Sequence, residues 1–245
     1  MRQRSNEMAY LITMCLMLLV YAAAIFGMGH LKNTWRSNRL FALLVVVPYA
    51  LLVAVLYAKG GCGDWNFLNA MPTANVSPFM FTLVPVVMLS WGRLQARLHL
   101  LIALLSVGML CSPLLSCVSY FAIQYRFHFH FLLDFIAHVA LSLWGVYLIK
   151  SGQVRLSLRD ALTSAGMILG AAAGMLVLNL VFDTAFFGLS LSGKHNIYNM
   201  VLVSNGALSA GIYFLGLCLV LALGAGFQAL LHRPQSDLSA NEGCL

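Results

Sequence analysis

Apolar runs of about twenty residues follow one another along this chain, at about 8–28, 40–58, 72–91, 98–120, 129–149, 161–182 and 197–231. A helix advances about 1.5 Å per residue, so roughly twenty apolar residues cross the hydrocarbon of a bilayer. Of the 245 residues 61% are hydrophobic and 9% charged, against about 25% charged in a soluble domain. A single soluble core cannot hide that much apolar surface. The expected fold is therefore all-α, a polytopic bundle of seven transmembrane helices forming one domain over residues 1–231. The last run is long enough to hold a tilt or an interfacial turn. The remaining stretch, "HRPQSDLSANEGCL" (232–245), reads as a disordered tail.

Orientation follows from where the basic residues fall. Of 14 Lys and Arg, nine collect on one side: Lys32, Arg36, Arg39, Arg93, Arg97, Lys150, Arg155, Arg159 and Arg233. The other side holds Arg2, Arg4, Lys59, Arg126 and Lys194. This bias predicts an N-terminus outside and a C-terminus in the cytoplasm, in the plasma (cytoplasmic) membrane. It also accounts for most of the net charge of +7, so no nucleic-acid partner is implied. A cleaved signal peptide ending near "YAAAI" is the rival reading of the start. It would put Lys32, Arg36 and Arg39 outside, against the vote of the later loops. The six cysteines are scattered with no C-x-x-C. A Cys62–Cys117 disulfide is geometrically open, but buried thiols acting as small hydrophobes are the expected state.

Polar residues inside apolar spans are costly, about 2.5–3.5 kcal/mol for an ionisable group at a helix centre, and so they mark sites. Asp64, Asn75, Asp134, His138, Asp183, His195, Asn196 and Asn199 all map to the outer loops or outer helix halves. The cytoplasmic half is expected to hold almost nothing of the kind. In "HFHFLLDFIAH" (128–138), Arg126 upstream and then His130, Asp134 and His138 recur every four residues. Each step of four turns a helix face by about 40°, so His130, Asp134 and His138 share one stripe. An Asp between imidazoles can orient a general base, relay protons, or hold a metal with His130, Asp134 and His138 as ligands. No cofactor is expected, zinc being the one metal these residue types would suit. The bland alternative is that Asp134 settles its charge on Arg126 or a histidine.

Two further stretches face the same side. "FDTAFFGLSLSGKHNIYN" (182–199) brings Asp183, His195, Asn196, Tyr198 and Asn199 to the sixth and seventh helices. A helix opening there offers free N–H groups to an anion or a carbonyl oxygen, and a plain helix cap is the competing reading. "NFLNAMPTANVSPFMF" (66–81) sets prolines on either side of Thr73, Asn75 and Ser77, which predicts a broken or re-entrant start to the third helix. Gly166, Gly170 and Gly174 form a ridge that permits close helix packing.

The seven-helix count, "FIAHVALSLWGVYLIKSGQVRL" around His138, and the His-Asn-x-Tyr-Asn element at 195–199 resemble the TMEM164/YwaF group of integral membrane proteins, over about residues 40–230. The resemblance implies acyl transfer on phospholipid, with an acyl-carrying cysteine near the start of the third helix and a histidine base. His138 would take the histidine role. The matching stretch here, "AMPTANVSPF", has no cysteine; Ser77 is the nearest hydroxyl apart from Thr73. A second likeness is to seven-helix zinc hydrolases of lipid amides, from which the chain departs by carrying H-x-x-x-D-x-x-x-H in place of H-x-x-x-H.

The sequence thus predicts a lipid-modifying enzyme of acyltransferase or hydrolase type with an outward-facing site. His138, Asp134, His195 and Ser77 would be catalytic. Asn75, Asp183, Asn196, Tyr198, Asn199 and Arg126 would bind substrate. Membrane lipids are the expected partners, and a homo-oligomer is left open. A small transporter or ligand-binding membrane protein using the same residues is the alternative. A third reading makes the polar residues helix–helix contacts in an assembly partner.

Overall fold

The computed structural model describes residues 2–28, 35–61, 71, 76–108, 110, 129–154, 158–182, and 211, 215–216, 218–219, 221–223 and 225–226. Six helices have defined bounds: α1 (Arg2–Gly27), α2 (Trp35–Gly60), α3 (Val76–Leu89), α4 (Gly92–Gly108), α5 (Phe129–Lys150) and α6 (Leu158–Phe182). The residues described between 211 and 226 are helical too, and the architecture is all-helical. Three stretches are long and apolar enough to cross a membrane: Trp35–Gly60, Phe131–Lys150 and Leu162–Phe182. Ile12–Gly27 and Ser77–Leu89 are apolar but shorter.

The fourth run differs most from expectation. Its helix opens at Gly92, six residues before the predicted run, and closes at Gly108. The reason lies at the turn before it. Gly92 has φ of 60°, a left-handed conformation that glycine adopts without steric cost. Ser90 returns its main-chain N–H and its hydroxyl to the carbonyl of Val87, at 3.3 and 2.9 Å. The Gln95 amide reaches the same carbonyl at 3.4 Å. The chain therefore reverses between Leu89 and Gly92, and α4 begins on the polar residues Arg93, Gln95 and Arg97. The third run begins its helix at Val76, with Pro78 in the first turn, where a missing N–H costs nothing.

α5 is the centre. Trp144, Val146, Tyr147 and Leu148 are fully buried, and 78% of its apolar stretch lies inside the bundle, against 17% for α6. α2 runs antiparallel along it. Phe41 meets Tyr147 with ring centroids 5.3 Å apart, and Tyr49 leans on Phe81 of α3 at 5.1 Å, which in turn touches His138 at 5.0 Å. α1 runs parallel to α5: Met14, Met17 and Leu18 pack on Phe131 and Phe135, while Lys150 donates to the Ile25 carbonyl at 3.2 Å. α5 ends cleanly because Gly152, with φ of 74°, sends its N–H back to Ile149 at 3.0 Å, and Val154 bonds Leu148 at 3.0 Å.

α4 meets α5 where α5 has no side chain. A Cβ built on Gly145 would fall inside the Ser106 side chain and lie 3.5 Å from the Ala103 carbonyl. Gly145→Val is therefore expected to push α4 and α5 apart and cost about 1–3 kcal/mol, the usual range for overpacking. Unfolding of the purified variant in detergent would show it; a melting temperature equal to wild type would mean that the two helices are not held this closely.

α6 buries one stripe, with Ser164, Ile168, Ala172 and Asn179 facing inward. Gly166, Gly170 and Gly174 point the other way, and a Cβ on any of them meets nothing within 4 Å among the described residues. The predicted packing ridge is not filled by any described helix. Large apolar side chains on the outer faces, such as Leu19, Val20, Phe26, Leu43, Val47, Leu180 and Val181, are exposed, as lipid-facing positions of a membrane bundle must be.

Candidate functional site

Two of the predicted site residues meet on α5. Asp134 and His138 are one turn apart, and the helix brings them to the same face. The Nδ1 atom of His138 lies 2.9 Å from the main-chain oxygen of Asp134 and 3.4 Å from its Oδ1. A carbonyl oxygen can only accept, so Nδ1 carries the proton and donates it. The Nε2 atom of the neutral ring then holds the lone pair. This tautomer is the one a general base needs, with an adjacent carboxylate to stabilise the imidazolium that forms when Nε2 takes a proton. His138 is only 8% exposed. The edge-on Phe81 ring, tilted 85° to it, walls one side.

Phe81 ties this pair to the third helix. Ser77 precedes Phe81 by one turn of α3 and so shares its face, about 6 Å along the axis. Ser77 is half-buried.

His130 lies in the first turn of α5, four residues before Asp134; its side chain is not among those described. Among the described residues no three His, Cys, Asp or Glu gather as a metal would need. Asn75, Arg126, Asp183, His195, Asn196, Tyr198 and Asn199 lie outside the described residues, as do Cys62 and Cys117. Cys15 and Cys218 are free and exposed on the outer face, where the expectation was burial; each sits on a helix face that the described core does not cover.

The expectation that the half of the bundle toward the basic loops holds almost no polar residues does not hold. At the basic end of the bundle, where Arg39 stacks on Trp35 at 3.3 Å, a polar chain crosses three segments. Trp144 Nε1 donates to Asn38 Oδ1 at 3.0 Å, and Asn38 Nδ2 donates to Gln153 Oε1 at 3.0 Å. His99 of α4 rests edge-on against Trp144, with centroids 5.9 Å apart. Its Nε2 is buried and has no hydrogen-bond partner among the described residues, and the same holds for Ser106 Oγ. Beyond His99, Arg97 pairs with Asp160 of α6 at 3.2 Å, on an exposed surface. His99 and Ser106 were visible in the sequence as polar residues within an apolar run, seven apart and hence on one helix face; that spacing was the signal available.

No family model, no characterised protein and no solved structure matches the chain.

Proposed function

We propose that this is an integral membrane enzyme that transfers or hydrolyses a lipid acyl group at a site in the outer half of the bundle, with His138 as general base. The observation that carries the reading is the double hold on His138 Nδ1 by Asp134, through its main-chain oxygen at 2.9 Å and its carboxylate at 3.4 Å. It leaves Nε2 as the basic nitrogen within an apolar bundle whose natural substrates are lipids.

In the transfer step Ser77 Oγ attacks the carbonyl carbon of a lipid ester, and its proton passes to His138 Nε2. The tetrahedral adduct collapses, the C–O bond to the lipid alcohol breaks, and that alkoxide takes the proton from Nε2. A second alcohol or water then attacks the Ser77 ester with the same base, which returns Ser77 Oγ–H. Asp134 keeps the imidazolium stable at each stage. Asn196 and Asn199 would supply amide donors to the developing oxyanion. The fit with the resemblance is functional, with serine in place of the family cysteine.

Intact-mass measurement of the purified, denatured protein tests the covalent step. An increment of acyl-chain size is expected, absent in Ser77→Ala. In His138→Ala the increment should be absent or form far more slowly. An increment that persists in Ser77→Ala would remove Ser77 from the mechanism. A bare polypeptide mass, together with unchanged lipid turnover in His138→Ala, would overturn the acyl-transfer reading.

A further inference from the structure

The polar groups of the two halves of the bundle lie along one seam of α5. On a helical wheel Asp134, Gly145, His138 and Ser142 fall at about 0°, 20°, 40° and 80°, one inward stripe. Asp134 and His138 are the outer pair. Ser142, one turn below His138, is 2% exposed. Gly145 is where α4 presses in, and the residue pressing is Ser106, fully buried, with its Oγ unpartnered among the described residues. Two turns back on the same face of α4 is His99, with its buried Nε2 equally unpartnered. Its ring is against Trp144.

Buried polar atoms are nearly always hydrogen-bonded, and each that is not costs about 1–3 kcal/mol. Two on one helix face, both at the same helix–helix seam, are a costly arrangement for packing alone. The seam joins them to the only ionisable pair described inside α5. From Asp134 to Gly145 it covers about 16 Å of helix. His99 then lies two residues from Arg97, which is exposed at the basic end.

We propose that this seam is a proton path between the Asp134–His138 pair and the basic end of the bundle. Its steps are Ser142, Ser106 and His99, bridged by water. A proton arriving on His138 Nε2 leaves to a water at the seam. Each hydroxyl accepts a proton on one lone pair and releases its own O–H proton to the next water, so no charge stays behind. His99 Nε2 accepts at the far end. Its Nδ1 proton leaves toward the interface, and a return of the neutral ring to its starting tautomer completes the cycle.

The charged and titratable groups on the packed elements fit such a path. α3 contributes none. α6 contributes Asp160, already paired with Arg97, and Arg159, exposed in its first turn. From α1, Tyr21 donates its hydroxyl to the Leu110 carbonyl at 3.0 Å, and from α2 Tyr49 is turned to Phe81. Lys150 is held at the Ile25 carbonyl at the end of the helix. No described lysine or arginine lies in the seam to repel a proton. The path shares His138 with the acyl chemistry but does not rest on that reading, since it needs His138 only to take up and release a proton.

The test is proton flux into vesicles. The full chain is reconstituted into liposomes holding a pH-sensitive dye, and a potassium gradient with valinomycin supplies the driving potential. Proton entry well above that of protein-free vesicles is expected, falling at least about tenfold in Ser106→Ala and in His99→Gln. Ser106→Ala removes only an oxygen with no partner among the described residues, so it should fold at least as well as wild type, which a melting curve would check. Flux no greater than in empty vesicles would overturn the proposal. So would full flux in folded Ser106→Ala and His99→Gln. Acyl turnover, measured on the same samples, should be unchanged by His99→Gln. Turnover without flux sinks the path alone, and flux without turnover sinks the acyl reading alone.

Discussion

His138→Gln is expected to lower acyl turnover by about 10²–10⁴-fold, the usual contribution of a positioned general base. Asp134→Asn should cost less. The difference follows from which atom of Asp134 does what. The main-chain oxygen of residue 134, at 2.9 Å from Nδ1, survives any side-chain substitution, so the base keeps its tautomer. The carboxylate at 3.4 Å supplies only the negative charge that stabilises the imidazolium. Asp134→Asn therefore removes the charge and leaves the orientation. Steady-state turnover of the two variants in one lipid system would show the order. A purely structural pair behaves differently. A hydrogen bond to a charged group typically contributes about 1.5–3 kcal/mol, so both variants would lose activity only in proportion to lost folded protein. If turnover per folded molecule is unchanged in His138→Gln, the pair is structural and the catalytic assignment is wrong.

The legibility of this site in the sequence has a plain cause. Asp134 and His138 are four residues apart in a run that can only be a helix, so local geometry alone brings them together. α2, α5 and α6 were readable for the same reason: their apolar runs are long and self-contained. What was not readable depends on contacts between distant parts of the chain. Asn38 is 106 residues from Trp144 and 115 from Gln153, and nothing in the local pattern of "WRSNRL" or "IKSGQV" announces their meeting. The polar chain that joins them was therefore not anticipated. The start of α4 was misplaced because hydropathy favours the run from Leu98 onward, whereas the reversal at Ser90–Gly92 sets where the helix begins. Gly145 reads as one glycine among 20. Its role as the contact with Ser106 exists only once α4 and α5 are packed.

Trp144→Ala should be the most destabilising single change in the bundle. The indole is fully buried, on the helix against which α1, α2, α3 and α4 pack. Removing it opens a large void, and aromatic-to-alanine changes in packed cores cost about 3–5 kcal/mol. In lipid the loss is of packing and hydrogen bonding rather than of water exclusion, because the surrounding tails are as apolar as the core. The change also strands Asn38 Oδ1, which accepts from Nε1 at 3.0 Å. Asn38 is half-buried, so this loss costs less than the about 1–3 kcal/mol of a fully buried orphan, and not additively with the void. Trp144→Phe separates the two terms. It fills most of the void and keeps an aromatic face for His99, but it gives Asn38 no donor, so it should show mainly the smaller cost. Asn38 would then lose its fixed orientation, and with it the hold on Gln153 in the turn after α5. Unfolding of wild type and both variants in the same detergent would place Trp144→Phe between the other two. If Trp144→Ala were no worse than Trp144→Phe, the void would contribute nothing. α5 would then be held by its polar links to α2 rather than by close packing around the indole.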